Sequence, residues 1–339
     1  MLVFLVRNEY FCYDSGGRIS YIDALKGLLI ILVIIGHSNV NLIVPRAVQA
    51  IYTVHMPLFF ILSGFFLHRN EAIKNQFKKS FKNYIVPYVL TCLVGIVLIL
   101  AKWYLTQDMK YEGICNEYIK RILFVQIGRT SDIGPIWFLV ALFWGQNILN
   151  FLLAKLSKIQ LLNSVVVLAI CPMMLSDKVF VPFSFFQGLT ALPFLYVGFM
   201  LKTYRENIEC IVKDKICLVL IGVLWAVYVL LGHVMRISFV DFPNGCTSYV
   251  VSLFASLVVL YYSKCIDFSW LRAIGRHTLL ILCVHTLVLP YVAKIGSLHT
   301  DALYTSLEII ADVLISIIIS FVIVKLKKVL VNGNTSKRS

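Results

Sequence analysis

Charge is what this sequence is short of. Asp, Glu, Lys and Arg make up only 14% of its 339 residues, against 60% hydrophobic residues and a mean hydropathy of +0.86. A soluble domain carries roughly a quarter charged and about half apolar residues. A chain this poor in polar surface cannot coat a water-soluble globule, and the bilayer is its expected solvent. Metal-binding and redox patterns are missing too: the nine cysteines include no C-x-x-C pair and no metal-ligand spacing with His, so no metal is expected. Cys92, Cys171, Cys217 and Cys283 lie inside apolar runs and read as small buried hydrophobes. Cys115 and Cys246 fall in expected outer loops, where an oxidising compartment would let them pair. No Gly/Ser linker and no internal repeat divides the chain. The apolar opening run is cut off at Arg7, too short for a signal-peptide core, so the first helix is expected to stay in the mature protein.

What is there is a series of long apolar runs with basic residues between them. The net charge of +14 would suit nucleic acid, but Lys and Arg cluster at the ends of the apolar runs, and the positive-inside rule explains that placement without a nucleic-acid partner. About 20 apolar residues cross the hydrocarbon, and ten runs qualify, near 22–42, 51–67, 84–106, 135–154, 160–176, 187–201, 216–235, 247–263, 273–293 and 303–324. Placing the N-terminus in the cytoplasm puts 21 of the 31 Lys and Arg inside and nine outside, with Lys26 within the first helix. This bias predicts an all-α polytopic bundle of about ten transmembrane helices with both termini cytoplasmic. The expected organisation is a short tail over 1–18, a single transmembrane domain over 19–328 and a basic cytoplasmic tail over 329–339. The segment 107–134 is expected as the longest outer loop.

Ionisable groups inside a bilayer are costly and therefore mark function. In the first helix Asp23, Lys26, Ile30, Val33 and His37 follow a 3-4-3-4 pattern along one face. Lys26 and His37 are eleven residues apart, about three turns and about 16 Å of rise, which places Lys26 near the inner surface and His37 near mid-membrane. A snorkelling lysine beside an aspartate is the plain alternative for this pair. The second run, H-M-P-L-F-F-I-L-S-G-F-F from His55, carries a proline and a Ser-Gly pair, which suit either a cavity or close helix packing. Lys79 and Lys82 share a face if the third helix begins early, and can meet phosphates of a nucleotide-like donor or lipid headgroups. Trp137 opens the fourth helix, where Trp is a common interface anchor. Arg276 opens the ninth, with His285 nine residues above it, and Glu308 and Asp312 lie one turn apart in the tenth.

Taken together these pieces resemble the acyltransferase-3 superfamily of integral membrane acyltransferases, in particular its stand-alone sugar O-acetylase branch, which lacks a C-terminal hydrolase-like domain. The resemblance runs from about Arg18 to Val324. It rests on Asp23-x-x-Lys26-Gly27 followed by Gly36-His37, on the run from His55, and on the basic pair before Pro87-Tyr88. G-P-I-W-F-L at 134–139 and I-G-R-H-T-L-L-I-L-C-V-H at 274–285 complete it. The order of these motifs in one chain makes the resemblance specific. It implies an acetyl-CoA donor on the cytoplasmic side, His37 as the catalytic residue, and Lys26, Lys79 and Lys82 as donor contacts. The family usually has two arginines at the last two positions, and lysine keeps the charge without the guanidinium fork.

The implied reaction moves an acetyl or similar acyl group, succinyl included, from acyl-CoA to a hydroxyl of a polysaccharide or lipid-linked sugar at a bacterial inner or plasma membrane. A thioester is already activated, so the chemistry needs a base, which His37 suits. A transient acyl-imidazole on His37 is the other route. Asp23 would orient or charge-balance Lys26. Trp137, Arg276, His285, Glu308 and Asp312 are supporting or acceptor-side candidates. Membrane lipids and the sugar acceptor are the expected partners, nucleic acid is not among them, and the sequence leaves the oligomeric state open. A secondary transporter or glycan exporter is the alternative from another class, since broken spans and buried acids fit one as well.

Overall fold

The computed structural model describes residues 19–69, 71–107, 110–124, 134–296 and 302–335. Over these residues the chain is helical apart from its turns, with an isolated antiparallel bridge between Arg236 and Asp241. The helices, in order, are α1 (Ser20–His37), α2 (Val40–Ile43), α3 (Pro45–Phe65), α4 (Ile73–Ser80), α5 (Val86–Thr106), α6 (Lys110–Phe124), α7 (Trp137–Lys155), α8 (Lys158–Leu175), α9 (Phe185–Thr190), α10 (Leu192–Lys213), α11 (Lys215–Leu230), α12 (Cys246–Tyr262), α13 (Ser269–Gly275), α14 (Thr278–Gly296) and α15 (Ala302–Thr335). The tail expected over 1–18 and residues 336–339 lie outside the described residues.

Seven helical stretches among the described residues are long and apolar enough to cross a bilayer, and the bent pair α13–α14 makes an eighth if it is one span. This is an all-α membrane protein, and the seven or eight stretches among the described residues do not confirm the expected count of about ten. The runs near 187–201 and 216–235 form the shorter apolar helices Phe185–Leu201 and Lys215–Leu230. The ninth run is not one rod either, because α13 and α14 meet at a 73° bend. The expected outer loop over 107–134 holds helix α6, which packs on α5: the Tyr88 hydroxyl donates to the Ile122 carbonyl at 2.8 Å. Cys115 lies buried in α6 as a free thiol, and Cys246 is free as well, so the pairing allowed by the sequence does not form.

The distribution of polar groups is that of a protein solvated by lipid. Helix α15 exposes Leu303, Leu307, Ile310, Leu314, Ile318 and Leu326 while it buries Thr305, Glu308, Asp312, Ser316 and Ser320. These five polar residues are spaced 3-4-4-4, a single stripe along the helix. In water the face would turn the other way. Burying hydroxyls and carboxylates costs free energy unless each finds a partner, so the stripe shows where protein rather than lipid must supply contacts.

The chain forms two compact units, residues 1–40 with 259–339, and residues 41–258. In the first, α1 packs on α13 and α14 on α15. The α1–α13 contact is set by two glycines. A methyl group on Gly27 would strike the Leu271 carbonyl oxygen, and one on Gly275 the Asp23 carbonyl oxygen. In the second unit α3 and α10 meet in the same way, Gly64 against the Leu195 carbonyl and Gly198 against the Ile61 carbonyl. Small residues let backbones approach where no hydrophobic force between helices exists. Helix α3 continues through Pro57, whose ring supplies no N–H; the Ser256 hydroxyl reaches the Val54 carbonyl beside it at 3.5 Å.

Local signals set several helix ends. Gln160 accepts the Ser157 N–H at 3.1 Å and starts α8. The Asp214 side chain accepts the Cys217 N–H at 2.8 Å and starts α11, a bond that holds its carboxyl below the usual range.

Candidate functional site

Seven of the ten residues singled out in the sequence belong to the first unit, and the structure gathers them into two clusters, one towards each end of α1. Towards its N-terminal end Asp23 is 7% exposed and sits between two cations. The Lys26 ammonium lies 3.5 Å from its Oδ1, and the Arg276 guanidinium Nε 3.7 Å from its Oδ2. Arg276 reaches it because the chain breaks after Gly275, whose backbone lies against Asp23. At the break the Arg276 N–H bonds to the Arg272 carbonyl, the His277 N–H to the Ile274 carbonyl, and the Thr278 hydroxyl to the Gly275 carbonyl. Interrupted helices in membranes occur where the freed backbone is covered by protein or lines a polar cavity. Among the described residues the cluster brings two cations to one carboxylate, groups that can meet an anion.

His37 is the last residue of α1. The helix stops because Ser38 turns extended, with its N–H and hydroxyl both donating to the Ile35 carbonyl, at 3.2 and 2.7 Å. The next residue is claimed from outside the helix: Glu308 accepts the Asn39 backbone N–H at 3.2 Å and the Asn39 side-chain amide at 2.9 Å. Asn39 also donates to the Ala293 carbonyl at 3.3 Å, so one side chain ties the end of α1 to both α14 and α15. The buried Glu308 is therefore a cap and a tether.

Against the His37 ring lies His285 of α14, ring centroids 5.9 Å apart and tilted by 52°. His285 is completely buried. Its Nδ1 meets the Asp312 carboxylate at 2.9 Å, and the Ser316 hydroxyl donates to the same carboxylate oxygen at 3.0 Å. In the neutral ring, a carboxylate acceptor at Nδ1 places the proton there and leaves a lone pair on Nε2. That Nε2 is buried and has no hydrogen-bond partner among the described residues. Two imidazoles, one of them held in a single tautomer, thus stand side by side at the end of α1. Residue spacing marks His37, His285 and Asp312 singly and gives no reason to join them. Ser316 is not among them, although the 3-4-4-4 stripe of α15 is there to be read.

The remaining three candidates belong to the second unit. The third apolar run does begin early, at Ile73, and Lys79 and Lys82 are both exposed. Lys82 lies in a π-helical turn, Phe81–Ile85, in which the Val86 N–H reaches back to the Phe81 carbonyl. Pro87 follows at once; it has no N–H for the Asn83 carbonyl, and its ring crowds the preceding turn, which a wider π turn relieves. A polar ladder fixes this segment to α7. Gln76 donates to Gln146 at 3.1 Å, Gln146 to the Tyr84 hydroxyl at 3.0 Å, and Asn147 to the Ser80 hydroxyl at 2.8 Å. These amides were not recognised in the sequence, because polar residues isolated in apolar runs announce a partner only once the helices are placed. Trp137, at the start of α7, is 5% exposed with its ring edge-on to Phe138, so it is packed within protein and is no lipid-facing anchor. No group of three His, Cys, Asp or Glu among the described residues is disposed to hold a metal ion.

Comparison with known proteins places these features. The nodulation protein NolL of Sinorhizobium fredii is 28% identical over 210 residues, which cover 57% of this chain and 51% of that protein. The chain therefore spans about half the length of the relative it matches. No solved structure matches. The family model described as an acyltransferase domain, acyltransferase 3, matches residues 19–325, a stretch that contains both clusters and the π turn. The chain belongs to the acyltransferase-3 family of membrane acyltransferases.

Proposed function

We propose that this protein transfers an acetyl or similar acyl group from acyl-CoA to a hydroxyl of a polysaccharide or lipid-linked sugar, working in a bacterial inner or plasma membrane with both termini cytoplasmic. The observation that carries the reading is the placement of His37 on the same face of α1 as Lys26, about three turns away, with a second imidazole against its ring. In transfer, the hydroxyl oxygen bonds to the acyl carbon and the carbon–sulfur bond breaks. Coenzyme A leaves with the electron pair, and the hydroxyl proton must be taken up. His37 is the reacting imidazole, as base or as transient acyl carrier. Two routes are kept because His285 supplies a second imidazole.

Lys26 and Arg276, with Asp23 between them, give a cationic site for the donor's phosphates. Lys79 and Lys82 are assigned as donor contacts on the family resemblance, supported by their exposure and by the ladder that steadies their helix. His285, Glu308 and Asp312 are assigned supporting or acceptor-side roles, and so, on the resemblance alone, is Trp137. The test is transfer of label from acetyl-CoA to envelope glycan by purified protein, with the glycan of a deletion strain compared by mass. Label on the glycan with wild type and none with His37→Ala supports the reading. Substrate flux across vesicles with no use of acetyl-CoA rejects it.

A further inference from the structure

The buried Nε2 of His285 has no place in the donor contacts and no hydrogen-bond partner among the described residues. A buried polar nitrogen without a partner costs about 1–3 kcal/mol, so its retention calls for a ligand atom. Asp312 and Ser316 hold the ring so that this nitrogen is an acceptor and not a donor. An oxygen hydrogen-bonded to a ring nitrogen lies about 4 Å from the ring centroid. With centroids 5.9 Å apart, a single oxygen can touch His285 and His37 together. Nucleophile, base and a third group that orients the base is the arrangement of covalent acyl transfer.

We propose that His285, oriented by Asp312, is the general base that takes the proton of the acceptor hydroxyl, and that His37 carries the acyl group. This rests on the acyltransferase reading above. In the first step a His37 nitrogen bonds to the acyl carbon and the carbon–sulfur bond breaks. The sulfur leaves with the electron pair and receives the proton lost from the imidazole, giving the free thiol. In the second step the acceptor oxygen bonds to the acyl carbon while its proton passes to His285 Nε2. The carbon–nitrogen bond breaks, its pair returns to His37, and the proton held on His285 passes back to that nitrogen. Both rings end neutral. His285 is a catalytic residue in this scheme, whereas Asp312 is a positioning residue that fixes the tautomer.

The test uses the full-length protein in nanodiscs, radiolabelled acetyl-CoA, and envelope glycan extracted from the host strain as the acceptor probe. Two quantities are read, label on the protein after rapid quenching and label on the glycan. His285→Gln and Asp312→Asn are expected to keep label on the protein and an unchanged KM for acetyl-CoA, while glycan labelling falls about 100-fold or more. The double variant is expected to be no worse than His285→Gln, since groups acting as one unit do not add. Asp312→Asn keeps the shape of the side chain and guards against a folding artefact in the other variant. Glycan labelling within threefold of wild type in His285→Gln overturns the proposal and leaves the acyltransferase reading standing. Loss of protein labelling together with transfer in both variants also overturns it. If folded wild type labels neither protein nor glycan, the acyltransferase reading fails and takes this assignment with it.

Discussion

His285 and Asp312, 27 residues apart on two different helices, meet at 2.9 Å in a fully buried contact. The contact sets which imidazole nitrogen of the neutral ring carries the proton, and it is made by the polar stripe that α15 turns away from lipid. Replacing Ser316 with Ala removes the second hydrogen bond to the same carboxylate oxygen. Such a bond is worth about 1.5–3 kcal/mol when the acceptor is charged. The expected outcome is a measurably lower unfolding temperature in detergent, with transfer reduced but not abolished; unchanged melting would contradict the shared acceptance.

The glycine contact between α1 and α13 yields a second prediction. Gly275→Ala forces a methyl group into the Asp23 carbonyl, and backbone cannot yield as a flexible side chain can. Overpacking costs typically about 1–3 kcal/mol. Thermal unfolding is expected to show that loss, together with a weaker Asp23–Arg276 contact and poorer donor binding. A wild-type melting curve for this variant would mean that the close approach is not there.

Asp23 between Lys26 and Arg276 is the third case. A double-mutant cycle of Asp23→Ala and Lys26→Ala, read by stability, is expected to give a coupling of about 0.5 kcal/mol or more, because residues in one ion-pair network do not act independently. Both cations are partly exposed, so the value is expected near the low end of the range for such pairs. Strict additivity would place Lys26 and Asp23 apart.

Glu308 ties the end of α1 to α15 through Asn39. Glu308→Ala leaves the Asn39 backbone N–H and amide without that acceptor, and the expected result is loss of stability with acetyl-CoA binding kept. If stability is unaffected while transfer vanishes, Glu308 is acting on substrate and not as a tether.

Much of this was legible in the residues. The 3-4-3-4 face from Asp23 to His37 marked α1, and the ionisable residues misplaced for lipid are those the structure draws into clusters. What the sequence hid depends on backbone geometry. Hydropathy sees 273–293 as one run, but Gly275 is pulled against Asp23 and the helix turns by 73° there. Hydropathy likewise runs past Ser38, while capping to Ile35 ends α1 one residue earlier and puts His37 at its tip. Hydropathy reads 107–134 as loop because the charged residues of α6 mask a face that packs on α5. The amide ladder from Gln76 to Asn147 has no periodic signal at all, since each amide depends on one partner on another helix.

The central claim is that the His37 imidazole does the chemistry. Its most direct measurement is the transfer of radiolabel from acetyl-CoA to envelope glycan by wild type and by His37→Ala, both shown to be folded and inserted. Label on the glycan with wild type, falling by about 100-fold or more in the variant, is the predicted result; equal labelling by the two proteins would contradict it.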